Sequence, residues 1–488
     1  MAPLEFSAQN LPTQLFVNNE YVNAKRAKTF SVFSPKDNSL VSDKIPLAGQ
    51  EDVDAAVTAA EAAFPAWRAV PALQRRDILL KFASLLEEHS EKLSKLNRIT
   101  QGAPYLAWGK FEVGVAAEAF RYYAGYIDKF QGEVYPEEDG FLKITRHEPL
   151  GVTAGIVPWN GPMGSMGSKA APALATGNTF ILKPSEKTPF SGLALGHLIK
   201  EAGFPPGVFQ ILSGDGSTGA LLSMHMRVRK VSFTGSIPTG KSILKAAADS
   251  NLKRVTLELG GKSPAIIFDD ANLENAITWC VNAITANTGQ ICFAASRIYV
   301  QEGIKAKFIE AFKVALRERA QTIGDPEAST TIMGPLVDEA QFKRVTGFIE
   351  RGTAQGTLIL GGKRVGNSGF FVEPTLFADV PQDAEIYQQE IFGPVGIVNT
   401  FKTEEEAVQK ANATEYGLMA GVFTQDINRA IRISTALDSG MVGVNMVSRY
   451  FLNAPFGGTK QSGLGRENGR AAMECFTDLK TVMINMTY

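Results

Sequence analysis

Glu258-Leu259-Gly260-Gly261-Lys262 and, further along, Gly289-Gln290-Ile291-Cys292 are the two segments on which a reading of this fold turns. Short β-rich runs alternate with helical stretches at Val152–Val157, Thr179–Leu182, Val208–Leu212, Lys230–Phe233 and Ala265–Phe268, and a second series follows from Ser296 to about Asn445. Alternation of this kind predicts parallel sheets wrapped by helices on both faces. The class is therefore α/β, with two such domains meeting near Glu258–Lys262. The same segments carry chemistry. One offers a carboxylate set among glycines and the other a thiol. Cysteine hydrolases draw their thiolate from a neighbouring histidine, but His89, His147, His197 and His225 all lie far from Cys292 in sequence. Another base must serve, and Glu258 is the candidate.

A chain of 488 residues is too long for one core and should divide. At 44% hydrophobic and 20% charged its composition is that of an ordinary globular protein. A net charge of −1 argues against nucleic acid or an acidic membrane surface as the main partner. Cys280, Cys292 and Cys475 are odd in number and unrelated in spacing, so a reducing compartment is expected in place of a disulfide framework. No apolar run approaches the ~18 residues of a membrane helix. Met1-Ala2-Pro3-Leu4-Glu5 does not open a targeting segment, and Met486-Thr487-Tyr488 is no peroxisomal address, which makes a cytoplasmic location the expectation. No metal site is expected. Apolar residues at Val53, Ala56, Val57, Ala60, Ala63 and Phe64 predict a helix over 51–67, and a second is predicted from Asp77 to Leu96. Phe141–Thr145 and Thr481–Met486 read as strands outside both series.

The strand Lys230–Phe233 enters Thr234-Gly235-Ser236-Ile237-Pro238-Thr239-Gly240, with a helix expected from about Lys241. Glycines at such a turn let backbone N–H groups approach a pyrophosphate, and a helix N-terminus favours its charge. The spacing is not the common G-x-G-x-x-G, and most Gly-Ser turns are only turns. In Phe180-Ile181-Leu182-Lys183-Pro184-Ser185-Glu186, a Lys and a Glu three residues apart follow a strand, where nucleotides bind α/β sheets. An exposed ion pair is the plainer alternative. Together with Gln389-Glu390-Ile391-Phe392-Gly393-Pro394 and the two opening segments, these motifs resemble, in order and along nearly the whole chain, those of the aldehyde dehydrogenase superfamily.

The resemblance implies a Rossmann-like NAD-binding domain over 1–126 and 150–257, an α/β catalytic domain over 258–456, and a small β arm from 127–149 and 477–488 that joins subunits into a homodimer or homotetramer. It implies NAD as cofactor, with NADP possible. Lys183 and Glu186 become adenosine-ribose ligands and Ser236, beside Gly235, a pyrophosphate ligand. Ile156 and Trp159 would line the groove, with Gly216 beneath the adenine. Glu390 would hold the nicotinamide ribose and Phe392 the ring. Lys169 and Glu467 fall at proton-relay positions.

Alone, Cys292 reads as a small buried hydrophobe and Glu258 as a surface carboxylate. Together they meet a chemical need. Hydride loss from an aldehyde requires a tetrahedral adduct, which a thiolate forms, and the resulting thioester is cleaved by water that a carboxylate deprotonates. Asn160, in Val157-Pro158-Trp159-Asn160, could donate to the oxyanion with the Cys292 backbone N–H, a donor worth ~3 kcal/mol, although an Asx-turn is the commoner role. Where family members carry large side chains lining the aldehyde tunnel, this chain has Gly161, Ser165 and Ser168. A widened tunnel for a bulky or aromatic aldehyde is expected, faced by Arg449, Tyr450 and Phe451. Ile291 provides no second thiol. A coenzyme A-acylating relative would not need Glu258, and a non-catalytic scaffold would not need this set of residues.

Overall fold

The computed structural model describes residues 6, 7 and 9–488, so the N-terminal stretch read for targeting lies outside the described residues. Its first sheet has eight strands in the order Gly463–Leu464, Arg254–Glu258, Lys230–Thr234, Val152–Ile156, Thr179–Lys183, Phe209–Ile211, Leu15–Val17 and Glu20–Val22. The strands from Arg254–Glu258 to Phe209–Ile211 run parallel, and the outer ones are antiparallel. Val152–Ile156 and Thr179–Lys183 are buried at every residue, as strands covered on both faces must be. Strand order reverses between Val152–Ile156 and Lys230–Thr234. That reversal opens a crevice at the strands' carboxyl ends, where ligands bind such sheets.

The second sheet has seven strands: Thr357–Leu360, Thr375–Ala378, Val395–Phe401, Arg297–Gln301, Pro264–Ile267, Met419–Phe423 and Met441–Val444. All its pairings are parallel except that of the edge strand Thr357–Leu360. Pro264–Ile267 belongs here, so the chain changes sheets between Glu258 and Pro264. Thr477–Asn485 pairs along its whole length with Phe141–Pro149, which also pairs with Val134–Glu138. These three strands form a separate small sheet. Gly463–Leu464, from a segment read as belonging to no domain, completes the edge of the first sheet.

Three local expectations need correction. The helix read over Asp77–Leu96 is two helices, Ala72–Glu88 and Ser90–Gln101, broken at His89. The break lets Leu79, Phe82 and Leu86 of one and Leu93 and Leu96 of the other reach a single core. The helix expected from Lys241 starts at Ile237, because Ser236 caps it by accepting from the Thr239 N–H and Pro238 needs no partner in a first turn. Glu258, which alone reads as a surface carboxylate at a strand end, is the buried end of the strand Arg254–Glu258, exposed only at its start.

Helix Pro162–Ala175 packs closely on Lys110–Ala124. A Cβ on Gly167 would lie 2.7 Å from the Ala116 Cα, so part of the small-residue run serves this crossing and not the tunnel. Among the described residues no helix is long and apolar enough to cross a membrane.

Candidate active site

Glu258 ends its strand with its carboxyl buried at 2% exposure, and neither oxygen has a protein hydrogen-bond partner. Its backbone is held from both sides. The Gly235 N–H donates to the Glu258 carbonyl at 3.0 Å, and the Leu259 N–H to the Ser462 carbonyl at 2.8 Å. Burial first, and then the negative charge of Glu467, hold its pKa well above the ordinary carboxylate range. The following glycines are explained by what approaches them. A Cβ on Gly260 would lie 2.4 Å from the Glu390 carboxylate, and one on Gly261 would lie 2.3 Å from the Cys292 carbonyl oxygen. The pair therefore admits two functional groups from the second sheet's side.

Cys292 follows a tight turn in which Asn287, Thr288 and Gly289 all have left-handed φ (46°, 56° and 73°). A Cβ on Gly289 would meet the Gly393 carbonyl oxygen at 2.2 Å. Cys292 is half-buried, and burial, with the charges of Glu390 and Glu258 beside it, pushes its thiol pKa up. A depressed thiol pKa, set by a helix terminus, is thus not what the resting site provides. Cys280 is fully buried in the second sheet's core and Cys475 is half-buried. The Asn160 side-chain amide donates to the Gln290 carbonyl at 2.9 Å, and the Asn160 backbone carbonyl accepts from Gln101, Trp108 and Asn287. Asn160 is thereby pinned beside Cys292 with one amide N–H uncommitted. Lys169 and Glu467 form a buried ion pair, and Lys169 Nζ also donates to Thr234 Oγ1 at 2.7 Å.

A groove of about 860 Å³ runs from this point along the crevice of the first sheet. Its inner end holds Asn160, Glu258 and Cys292. Glu390 accepts from the Gly261 N–H at 3.0 Å, with a pKa raised by burial to about 7. Phe392 meets Trp159 edge-on at 5.3 Å between ring centres. Ile156, Gly216, Gly235 and Ser236 line the middle, where the helices Gly216–Met224 and Ile237–Asp249 both present N-termini. At the outer end lie Lys183 and Glu186, with nitrogen and oxygen 3.7 Å apart. Burial holds the Lys183 pKa down. Lys187, whose ammonium stands 5.5 Å from the Trp159 ring centre, also lines the groove and was missed by the sequence reading. A cation–carboxylate pair, two helix N-termini and an aromatic end fit a dinucleotide.

Beyond Cys292 lies a chamber of about 80 Å³. Gly161, Ser165, Ser168, Ile291 and Tyr450 line it as expected, joined by Gly164, Trp108, Phe111, Phe293 and Phe456. These rings face the small residues across the chamber. Arg449 and Phe451 are not part of the wall. Ser448, at φ 57° and hydrogen-bonded to the Phe293 carbonyl, turns the chain there. Tyr450 then packs inward against Phe293 and Phe456, while exposed Arg449 stacks on Phe451 at 5.5 Å, outside. Trp108 and Phe111 begin a helix far upstream, and nothing in their spacing sets them apart from core aromatics.

A thiol and a buried carboxylate thus stand at the inner end of a groove that fits a dinucleotide, as an oxidoreductase would have them. The comparisons agree. The model of the aldehyde dehydrogenase family matches residues 21–482, and the chain belongs to that family. An aldehyde dehydrogenase of Emericella nidulans is 47% identical, over 96% of this chain and 95% of its own. Among solved structures, an aldehyde dehydrogenase from Bacillus cereus superposes with a TM-score of 0.95 at 40% identity, covering 98% of this chain and 97% of that one. An indole-3-acetaldehyde dehydrogenase variant from P. syringae, solved with NAD+ and IAA, superposes at 0.96 with 39% identity and 98% coverage of each. The protein is an NAD(P)-dependent aldehyde dehydrogenase.

Proposed function

We propose that the protein oxidises an apolar, bulky or aromatic aldehyde to its carboxylate, with Cys292 as nucleophile and Glu258 as base. The supporting observation is the convergence of Cys292, Glu258 and Asn160 at the inner end of the groove, made possible by Gly260 and Gly261. Bound nicotinamide supplies the hydride acceptor. Cys292 adds to the carbonyl as its thiolate, its proton passing out through the open groove, while Glu258, its oxygens unengaged, stays free for the second step. Asn160 and the Cys292 N–H receive the oxyanion. Once the thioester has formed, Glu258 takes a proton from water, and Glu467 with Lys169 carries that proton away. Glu390 and Phe392 position the nicotinamide riboside, Lys183 and Glu186 the adenosine ribose, and Ser236 the pyrophosphate. Segments 1–126 and 150–257 serve the cofactor and 258–456 the nucleophile. The arm of 127–149 and 477–488 joins copies of the chain into a dimer or tetramer. A reducing compartment such as the cytoplasm suits the free thiol. Cys292→Ala should abolish NADH formation while leaving NAD binding by calorimetry intact, and substantial residual turnover would remove Cys292 from its role.

NAD should be preferred to NADP. A 2′-phosphate beside Glu186 would meet a repulsion of about 4 kcal/mol at contact in an intermediate dielectric, offset in part by Lys183. A higher specificity constant with NADP would contradict this. The substrate class rests on the chamber's two walls, small on one side and aromatic on the other. Burial of an aryl ring there gains roughly 25 cal/mol per Å², which acetaldehyde largely forgoes. Specificity constants across chain length and ring size test it, and acetaldehyde as the best substrate would refute it.

A further inference from the structure

Asn160 is held through its backbone as well as through its side chain. The backbone carbonyl receives N–H donors from three separate elements: Gln101 Nε2 at 2.7 Å, Trp108 Nε1 at 3.2 Å and Asn287 Nδ2 at 3.2 Å. Gln101 ends the helix Ser90–Gln101, and Asn287 belongs to the tight turn before Cys292. Trp108 comes from an element of another kind. Tyr105–Gly109 is a single turn of π-helix, in which the Pro104 carbonyl accepts from the Trp108 N–H at 2.9 Å and the Gly109 N–H at 3.1 Å. Such turns are frequent at functional sites. This one lies hard against the helix before it, since a Cβ on Gly109 would collide with the Ser94 hydroxyl. The turn brings the half-buried indole to Asn160 with its N–H, while its ring lines the chamber beyond Cys292. Of the three donors, only Trp108 also lines that chamber.

We propose that Trp108 is a positioning residue for the oxyanion donor: its indole N–H fixes the Asn160 peptide, and with it the side-chain amide that receives the developing charge. The proposal rests on the assignment of Asn160 above. An oxyanion donor is effective when it is in place before the charge develops, because reorientation during the reaction costs part of the stabilisation. The Asn160 side chain spends one amide N–H on the Gln290 carbonyl at 2.9 Å. The other serves the aldehyde oxygen only while the peptide that carries it stays still. Gln101 is itself tied down, accepting from Asn97 Nδ2 at 2.7 Å, and holds the carbonyl from the helical side. Asn287 holds it from the nucleophile's turn. Trp108 adds the restraint nearest the substrate, so one side chain serves both the wall of the chamber and the aim of the donor.

The experiment measures the first-turnover rate of NADH formation, at saturating NAD and aldehyde, in a double-mutant cycle of Trp108→Phe and Asn160→Ala. Phenylalanine keeps an aromatic wall and removes the N–H. Trp108→Phe alone should slow NADH formation by about three- to tenfold, the range for one neutral hydrogen bond, with the KM for NAD unchanged. Asn160→Ala alone should slow it by about 100-fold or more. In the Asn160→Ala background, Trp108→Phe should cost less than about twofold, because the amide it positions is gone. A loss there equal to the loss in the parent would make Trp108 a wall and nothing more, and would overturn the inference. So would a parent-like rate in Trp108→Phe alone beside a slow Asn160→Ala, which leaves the oxyanion assignment standing. An unaltered rate in Asn160→Ala removes that assignment and this inference with it. If Trp108→Phe does not fold, replacement of Trp108 by benzothienylalanine, which keeps the shape of the indole and lacks its N–H, gives the same readouts.

Discussion

Glu258 is a carboxylate the protein has stripped of partners. A buried carboxylate normally accepts several hydrogen bonds, and leaving one unsatisfied costs stability of about 1–3 kcal/mol or more. Groups kept in that condition inside a cleft are candidates for proton transfer. Glu258→Gln removes the base but keeps the shape. It should form NADH once per site and then turn over slowly, because hydrolysis of the Cys292 thioester lacks its base. Stopped-flow absorbance separates the two phases, and equal loss of both would mean that Glu258 is needed first at the thiol. The raised pKa fixes the direction of the pH effect. A base that holds its proton above the usual carboxylate range becomes competent only as pH rises through its elevated pKa, so the hydrolytic rate should increase with pH and Glu258→Gln should flatten that rise. Cys280→Ala, far from the groove, should keep most activity.

Helix Pro162–Ala175 shows how an element can couple stability to the site. Its first N–H groups, at Met163 and Gly164, donate to Glu112 Oε1 at 2.6 and 3.3 Å, and Asn97 links Glu112 Oε2 to Gln101, which holds the Asn160 carbonyl. Burial raises the Glu112 pKa to about 8 against these hydrogen bonds. Glu112→Ala should cost about 1–3 kcal/mol in urea unfolding, the range for orphaned buried donors, and should lower kcat more than it raises KM by loosening Asn160. Glu112→Gln should recover most of the stability. Gly164, Ser165 and Ser168 of this helix also line the chamber. Ser168→Trp should lose aryl aldehydes and spare short aliphatic ones, and an unchanged profile would sink the proposal of a bulky or aromatic substrate. Much of this was open to sequence reading. Cys292, Glu258, Lys183 and Glu390 sit in short local motifs, and strand-helix alternation marked the parallel sheets, while the crevice appears only with the strand order. Trp108, Phe111 and Glu112 were not legible, because their roles depend on a helix crossing that brings distant residues together.

At the scale of the molecule, the chain changes sheets at Glu258–Pro264, so base and nucleophile approach from different sheets while the groove runs between them. The small sheet stands apart from both and leaves much of its apolar surface uncovered. Val134 is 75% exposed, Leu479 60% and Met483 72%. Its outer strand Thr477–Asn485 pairs on one side only, a row of free N–H and C=O groups that proteins ordinarily cover. Apolar side chains and an open edge on one small sheet suit a surface that a second chain covers. The arm is therefore expected to hold the oligomer together. Leu479→Glu with Met483→Glu would place charge on that surface without touching the groove or the two large cores. The double variant should sediment as a smaller species than the parent in analytical ultracentrifugation, with unaltered NAD affinity per chain. An unchanged mass would move the interface elsewhere on the molecule.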